Sequence, residues 1–167
     1  TSSNVDNLLL ENIDENKIYL VGNTGLDNLL HIKSVRYDEK FILVTLHRRE
    51  NHEILDKWFQ VINDLAIKYD KFKFIIPLPP NPNVQKHKNL LSNVMVVEPM
   101  VHDEMITILL KSKLVITDSG GLQEECSFIN KRCLVCRKAT ERPEALDKTS
   151  VLVPTPEDLT KIFDTYL

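Results

Sequence analysis

Glycine is scarce in this sequence, which has four glycines in 167 residues, and two of the four, Gly120 and Gly121, are adjacent. Internal repeats, low-complexity tracts and Gly/Ser-rich linkers are also lacking. Hydrophobic residues make up 43% of the chain and charged residues 27%, which is typical of a soluble globular protein. A chain of this length is expected to form one domain of ordinary size with a substantial core.

Cysteine, excess basic charge and long apolar runs are equally limited. The three cysteines form no disulfide-like framework, which favours a reducing cytoplasm. Lys and Arg number 21 against 24 Asp and Glu, which argues against the basic face that nucleic-acid binding requires. No apolar run approaches the roughly 20 residues of a membrane span, and the first residues do not resemble a signal peptide. We expect a cytoplasmic chain without nucleic acid or membrane as partner. Because it begins with Thr1, we expect it to be part of a longer protein.

Continuous apolar runs recur along the chain and predict strands that are buried on both faces. They are FILVTLH (41–47), FKFIIPL (72–78), NVMVVEP (93–99), KLVITD (113–118), RCLVCR (132–137) and SVLVP (150–154). Apolar residues three and four apart predict helices over 54–68, 102–111, 122–130 and 156–166. Trp58 falls on the apolar face of the first of these helices. Asn81 and Thr155 are predicted helix N-caps, each followed by a proline.

Repeated strand–helix–strand units predict a parallel sheet with helices on both faces. We therefore predict a Rossmann-like, doubly wound α/β domain over residues 36–167. Residues 1–35 have a different pattern: a polar helix, a short strand KIYLVGN (17–23) and a helix from about Thr24 to Ile32. They are interpreted as the end of a preceding domain or as linker helices. Ligands of doubly wound sheets bind at the carboxyl ends of the strands, so the residues after each apolar run are candidates.

The adjacent glycines follow the strand KLVITD and open the next helix. A helix N-terminus attracts phosphate through its free N–H groups and its dipole, and glycine lets a diphosphate approach the backbone. Ser119, Gly120 and Gly121 are therefore candidate diphosphate ligands, and Glu125 could accept hydrogen bonds from ribose hydroxyls. The alternative is an ordinary strand-to-helix turn capped by Asp118 or Ser119.

HRREN, residues 47–51, follows the first long strand. It combines an imidazole, two guanidinium groups and a carboxylate, which could hold an anionic substrate and transfer protons near neutral pH. The alternative is a solvated loop in which the Arg and Glu side chains pair with each other. KATERPEA (138–145) also follows a strand, and its Arg142 could reach an anion lying against Ser119. Cys133 and Cys136 are three apart on a strand and point to opposite faces, so no metal site is predicted.

VTLHRREN, PNPNV, TDSGGLQEE and ATERPEA, in this order and spacing, resemble the motifs of the non-hydrolysing UDP-N-acetylglucosamine 2-epimerase family. The resemblance covers residues 22–155. It implies one half of a GT-B fold, in which two Rossmann-like domains face each other across a cleft, and this chain resembles the second, C-terminal domain. It also implies interconversion of UDP-GlcNAc and UDP-ManNAc by elimination and re-addition of UDP, for polysaccharide biosynthesis and without a metal or redox cofactor.

The resemblance assigns roles to residues already singled out. Ser119, Gly120 and Gly121 would bind the diphosphate, and Glu125 the ribose. Arg142 would contact the nucleotide-sugar.

Further roles come from the same resemblance. His47 would be the catalytic residue at the sugar end or at the leaving phosphate. Met105 occupies the position of an aromatic residue against the uracil, and Met100 that of a backbone-level base contact. Additional substrate or regulatory contacts would come from Arg48, Arg49 and Glu50. Pro79 stands where the family often has a histidine that bears on regulation by a second UDP-GlcNAc.

The family's acidic residues that act on C2 belong to its first domain, which is absent from this sequence. We therefore expect the chain alone to bind UDP weakly and to be inactive, and to need that N-terminal domain in cis or in trans. A homodimer is left open. The alternatives are a non-catalytic UDP-sugar-binding module or a half-enzyme that pairs with another chain. A GT-B glycosyltransferase is a third reading, which HRREN and ERPEA disfavour.

Overall fold

The apolar runs form one six-stranded sheet in which every pair of neighbours is parallel. The computed structural model describes residues 2–29, 40–142, 146 and 149–167. The strand order is β3–β2–β1–β4–β5–β6. The strands are β1 (Phe41–Thr45), β2 (Lys73–Pro77), β3 (Met95–Val97), β4 (Ser112–Thr117), β5 (Cys133–Val135) and β6 (Ser150–Leu152). This order confirms the predicted doubly wound topology, and its direction reverses between β1 and β4.

The helices connect the strands as predicted and differ from the prediction mainly at their ends. They are α2 (Leu55–Lys68), α3 (Pro82–Gln85), α4 (His102–Lys111), α5 (Gly120–Phe128) and α6 (Pro156–Tyr166), after α1 (Ser2–Leu10) in the first unit. Short 3-10 helices cover Arg49–Ile54 and Lys88–Leu90. Asn81 caps α3 by accepting a hydrogen bond from the Asn83 N–H at 3.0 Å. Thr155 caps α6 by accepting one from the Asp158 N–H at 3.2 Å, so both predicted caps are confirmed.

Alternate residues of β1 belong to two different apolar layers. Ile42 and Val44 are fully buried in one cluster with Trp58 of α2 and Phe163 of α6, which confirms the predicted core position of Trp58. Leu43 is equally buried but lies outside that cluster, while α4 contacts β1 and β4. Side chains of a strand alternate between the two faces of its sheet. Helices therefore cover both faces, which explains why the strand sequences are apolar without alternation.

Helix α6 closes the face that α2 covers. The Phe163 ring stacks on Phe74 with a centroid distance of 6.0 Å and contacts Tyr69 at 4.9 Å. At the exposed rim of this contact, the Asp164 carboxylate accepts hydrogen bonds from the Tyr69 hydroxyl and from Lys68 Nζ. The last helix of the chain is thus attached to the first long helix of the domain by both aromatic and polar contacts.

The chain divides into two compact units, residues 1–34 and 35–167. In the first unit, α1 is followed by a 3-10 helix over Glu15–Lys17 and another over Thr24–Leu29. The prediction of a strand at KIYLVGN is wrong, because residues 18–23 have no regular secondary structure. Tyr19, Leu20 and Val21 are 80%, 63% and 73% exposed and pair with no described strand, so apolar composition alone did not make a strand there. The part of the predicted helix beyond Leu29 lies outside the described residues.

No helix among the described residues is long and apolar enough to cross a bilayer.

Candidate functional site

Three of the predicted motifs lie at the carboxyl ends of three neighbouring strands. HRREN follows β1, Ser119 and the two glycines follow β4, and the segment 137–142 follows β5. The strands β1 and β4 pair through Thr45 and Thr117, and β4 and β5 through Thr117 and Val135. The sheet therefore brings the motifs to the topological switch point, where ligands of this fold class bind.

Asp118 joins the first two motifs and is fully buried. Its carboxylate accepts hydrogen bonds from the backbone N–H of His47 at 3.0 Å and of Arg48 at 2.9 Å. It accepts a further one from Asn51 Nδ2 at 3.0 Å. The His47 ring lies next to the same group, with Nδ1 at 3.7 Å from Oδ1. Asp118 is therefore the residue that holds the start of the HRREN loop.

Asn51 extends this network to the third strand. Its buried Nδ2 also donates to the carbonyl oxygen of Cys136 at 3.0 Å, just after β5. At the last residues of β1 and β4, the hydroxyls of Thr45 and Thr117 share a hydrogen bond of 2.6 Å. The Ser119 N–H donates to Thr117 Oγ1 at 2.9 Å. The ends of β1, β4 and β5 are thus connected by side chains as well as by the sheet.

The two glycines lie inside the first turn of α5, and Ser119 is its N-cap, accepting from the Leu122 N–H at 3.5 Å. Neither glycine has a positive φ. A Cβ at Gly120 would lie 2.6 Å from Glu141 Oε1, whereas one at Gly121 would meet only Ser119 Oγ at 3.8 Å. Gly120 therefore permits the close approach of an anionic group to the helix start, and the group that approaches it here is the Glu141 carboxylate.

Four charged side chains form a chain of ion pairs over this helix start. Arg137 contacts both Glu141 and Glu50, the latter with Nε at 2.7 Å from Oε1. Arg48 Nη2 lies 3.7 Å from Glu141 Oε1. Partial burial alone would raise the pKa of Glu141, but hydrogen bonds from its own backbone and from Arg137, with the charges of Arg137 and Arg48, lower it. Glu50 thus pairs outside the HRREN motif.

Arg49 of the same motif is exposed.

Arg142 lies beside α5 but is paired within the protein. Its Nε is 2.6 Å from Glu124 Oε1. Gln123 Nε2 donates to its carbonyl oxygen at 3.1 Å, and its backbone N–H donates to Thr140 Oγ1 at 3.1 Å. Gln123, Thr140 and Glu124 therefore fix Arg142 against the helix that the glycines open.

Glu125 is one turn further along α5 and faces α4. Its Oε1 lies 3.2 Å from His102 Nε2 at the start of α4. The Glu125 side chain remains 17% exposed, so the carboxylate is accessible from one side. This position is suited to accept hydrogen bonds from a ligand that lies between α4 and α5.

A cavity of about 350 Å³ lies beside the ion-pair chain and is lined by residues that include Glu50, Arg137 and Lys138. A second cavity, of about 220 Å³, opens between the ends of β1, β2 and β3 and the start of α4. It is lined by Thr45, His47, Pro77, Pro79, Pro99, Met100, Met105 and Leu122. This second cavity brings together the predicted catalytic residue and both predicted base contacts. Its thioether and proline lining is suited to pack against a flat ring.

Sequence reasoning missed Asp118 as a loop anchor, and it also missed Asn51, Arg137 and Glu141. Asp118 was considered only as a helix cap, although an acid at the end of a buried strand was a signal for it. Asn51 closes the HRREN motif and Glu141 opens ERPEA, so both were within quoted motifs. Asp118 and Asn51 bind groups at other strand ends, and Glu141 lies against Arg48 after β1, so spacing along the chain does not reveal these contacts. The Arg137–Glu141 pair is four residues apart and could have been found from the spacing.

Among the described residues, no group of three or more His, Cys, Asp or Glu side chains is arranged to hold a metal ion. Cys126, Cys133 and Cys136 are free and buried. Burial raises the pKa of the Cys126 and Cys136 thiols well above its ordinary value, so these groups stay protonated near neutral pH.

Comparisons with known proteins agree with the motifs. Residues 1–166 match the family model described as UDP-N-acetylglucosamine 2-epimerase. The UDP-N-acetylglucosamine 2-epimerase of Neisseria meningitidis serogroup A is 39% identical over 168 residues, covering 87% of this chain and 45% of that protein. The corresponding protein of Methanococcus maripaludis is 36% identical and is covered over 47% of its length. This chain spans about half the length of the curated relatives it matches.

Solved structures give the same result. The crystal structure of UDP-GlcNAc 2-epimerase from Neisseria meningitidis bound to UDP-GlcNAc matches with a TM-score of 0.86 at 36% identity, covering 99% of this chain and 51% of that chain. The S. aureus MnaA–UDP co-structure matches with a TM-score of 0.85 at 30% identity, covering 98% and 48%. The sheet corresponds to one half of a GT-B fold. With both its sequence motifs and its fold accounted for, this chain belongs to the UDP-N-acetylglucosamine 2-epimerase family.

Proposed function

We propose that this chain is the UDP-binding, C-terminal half of a non-hydrolysing UDP-GlcNAc 2-epimerase, which interconverts UDP-GlcNAc and UDP-ManNAc. The observation that carries the proposal is the meeting of HRREN, the start of α5 and the segment 137–142 at one edge of the sheet. Relatives that match over this half were solved with UDP-GlcNAc or UDP bound. Residues 1–35 would be the end of the preceding domain, and the protein would act in the cytoplasm.

The diphosphate would bind at the start of α5. The helix dipole and the N–H groups of its first turn favour a negative charge there. Arg48 and Arg137 already converge on an anion at this place, the Glu141 carboxylate. A phosphate carries more charge and more acceptor oxygens than a carboxylate, so it can replace Glu141 between the two guanidinium groups. Ser119, Gly120 and Gly121 would supply the backbone contacts.

The nucleoside would extend from this point towards α4. Glu125 would exchange its contact with His102 for hydrogen bonds with ribose hydroxyls. The uracil ring would pack on Met105 and Met100 in the 220 Å³ cavity. Arg142 would be freed from Glu124 to contact the nucleotide-sugar.

His47 would act at the leaving phosphate. Its side chain is 47% exposed at the edge of the cavity, next to the buried Asp118 carboxylate. An imidazole in this position can act as a general acid towards the leaving phosphate oxygen. Elimination of UDP also requires removal of the C2 proton, for which the other half of the cleft would provide the acidic residues. The chain alone would therefore bind UDP without turning over UDP-GlcNAc.

Calorimetric titration of the chain with UDP tests the proposal. We expect saturable binding with a Kd of about 1 mM or tighter, which corresponds to about −4 kcal/mol or more favourable. A Ser119→Ala/Glu125→Ala double variant loses the helix cap and the ribose acceptor, so its Kd should rise about tenfold or more. A Ser92→Ala/Glu157→Ala variant removes the same two groups from exposed positions elsewhere and should bind like the wild type. Absence of binding by a folded wild-type chain would reject the proposed nucleotide site.

Binding without any activity in the presence of the N-terminal half would instead favour the non-catalytic UDP-sugar-binding module. That distinction needs an epimerisation assay as well as the titration, because both candidates bind UDP.

A further inference from the structure

Asp118 is a fully buried acid with no role in the nucleotide contacts proposed above. It is not the cap of α5, since Ser119 supplies the oxygen that accepts from the Leu122 N–H. An ionised carboxylate is costly to bury unless several donors satisfy it. Its presence at the end of β4, directly before the start of α5, therefore requires an explanation in terms of the donors around it.

The donors around Asp118 belong almost entirely to one loop. Oδ2 accepts from the His47 N–H at 3.0 Å, the Arg48 N–H at 2.9 Å and Asn51 Nδ2 at 3.0 Å, while Oδ1 lies 3.2 Å from the same His47 nitrogen. A carboxylate accepts hydrogen bonds without donating any, so it matches a set made only of donors. No neutral side chain of similar size offers two such acceptors.

Asp118 also precedes Ser119 and Gly120 in the chain. The carboxylate is therefore attached covalently to the start of α5 and by hydrogen bonds to the HRREN loop. Through Asn51, which donates to the Cys136 carbonyl oxygen, the same network reaches the end of β5. The separation between His47 and the α5 start cannot change without breaking these bonds.

We propose that Asp118 is the positioning residue that fixes the HRREN loop against the start of α5, so that the His47 imidazole keeps one spacing from an anion bound there. This inference rests on the proposed function for the identity of that anion, the UDP diphosphate. Asp118 acts through the backbone of His47 and Arg48 and touches no reacting atom. Its effect is on the geometry with which the anion and the imidazole meet.

Asp118→Asn is the informative variant because it preserves volume. Its one carbonyl oxygen can replace Oδ2, but its amide NH2 then faces the His47 N–H, where an acceptor is needed. Asp118→Ala, which removes every acceptor, serves as the more severe second variant. Loss of a hydrogen bond to a charged group typically costs about 1.5 kcal/mol, which is roughly a tenfold change in an equilibrium.

The first measurement is amide hydrogen exchange in the unliganded chain, with NMR as the readout for each amide. We expect the His47 amide to exchange about tenfold faster in Asp118→Asn than in the wild type, and both the His47 and the Arg48 amides to do so in Asp118→Ala, which also lacks the acceptor in place of Oδ2. The amides of Ile42 and Val44, in the preceding strand β1, should keep their protection. Equal exchange of the His47 and Arg48 amides in the wild type and in both variants would overturn the inference, whether or not UDP binds.

The second measurement uses UDP as probe. In the wild type, saturating UDP should shift the ring-proton resonances of His47, which a His47→Gln variant identifies. In Asp118→Asn this shift should be reduced and the Kd raised about tenfold, because the loop no longer holds the ring in place. A full shift and an unchanged Kd in a variant with released amides would also overturn the inference.

Asn63→Ala is a matched control for general destabilisation. Asn63 is likewise a buried polar side chain that anchors a loop. It lies on α2 and accepts a hydrogen bond at 2.8 Å from the Asn93 N–H, in the turn that precedes β3. This variant should lower the thermal midpoint while leaving the UDP affinity and the His47 shift unchanged. If wild-type UDP binding is absent, the proposed function fails and the exchange comparison alone decides whether Asp118 fixes the loop.

Discussion

Gly120 and Gly121 are adjacent in the chain, but their surroundings differ. A methyl group at position 120 collides with the end of the Glu141 side chain, whereas one at position 121 makes an ordinary contact. Alanine is otherwise preferred over glycine in a helix by up to about 1 kcal/mol. A side chain at the first position therefore forces the Glu141 carboxylate to move, whereas one at the second does not.

This difference predicts the outcome of a pair of substitutions. Gly121→Ala should leave the free energy of unfolding unchanged or raise it, and Gly120→Ala should be about 1 kcal/mol less stable than Gly121→Ala. In a Glu141→Ala background, the difference between the two should vanish because the collision partner is gone. Urea unfolding of the four variants measures this coupling. A difference that persists without Glu141 would show that some other contact requires Gly120.

Glu141 also gives the site a defined pH dependence. Its pKa is lowered below the ordinary value of 4.5 in the folded chain. A carboxyl group with a lowered pKa stabilises the folded state above that ordinary value, and the contribution is lost as the pH falls through the folded-state pKa. The wild type should therefore have a higher thermal midpoint than Glu141→Gln at pH 7, and the two should converge well below pH 4.5. The exposed substitution Thr160→Ala, as control, should change the thermal midpoint by the same small amount at both pH values.

The residue-scale contacts are also where sequence reasoning was least complete. The paired glycines, HRREN and ERPEA are all recognisable as motifs because their residues are consecutive. That Glu141 approaches Gly120, or that Asp118 accepts from the HRREN backbone, depends on which strands are neighbours. Strand order is a property of the whole sheet, and no single motif specifies it.

At the scale of elements, Phe163 is the buried aromatic side chain among the contacts that attach α6 to the domain. Phe163 is fully buried against Phe74 and Tyr69. Truncating a buried Phe to Ala typically costs about 3–5 kcal/mol because it removes apolar contact and leaves a cavity. Phe163→Ala should lower the free energy of unfolding by about this amount, as measured by urea unfolding.

Thr160→Ala, an exposed substitution on the same helix, should stay within about 0.5 kcal/mol of the wild type. A similarly small effect of Phe163→Ala would mean that α6 is not part of the cooperative unit.

Most elements could be predicted from sequence because their signals are local. Buried parallel strands have continuous apolar runs, and α2 and α6 have apolar residues at helical spacing. Helix α6 also has a threonine cap and a proline at its start. KIYLVGN had the composition of a strand but no described strand to pair with. The 3-10 helix over Arg49–Ile54 was not predicted, because its backbone follows from the Asp118 and Asn51 contacts rather than from apolar spacing.

At the scale of the whole molecule, the prediction concerns catalysis. Positioning of reactants accounts for a large part of enzymatic acceleration, of the order of 7–11 kcal/mol. One side of a cleft cannot provide this, so the chain alone should not convert UDP-GlcNAc to UDP-ManNAc. Adding a separately produced N-terminal half of a relative should give conversion, which NMR of the anomeric protons would measure. His47→Gln should abolish the restored activity, and turnover by the chain alone would contradict the prediction.

The two outermost strands of the sheet, β3 and β6, are three residues long, whereas the central β1 and β4 have five and six residues. The free rim of a sheet is a template on which another chain can add a strand, and short rims offer few hydrogen bonds to such an addition. Copies of this chain should therefore have little tendency to associate through their sheets. Any dimer that forms in solution has to use helices or loops, and fibrous association at the concentrations of a titration is disfavoured.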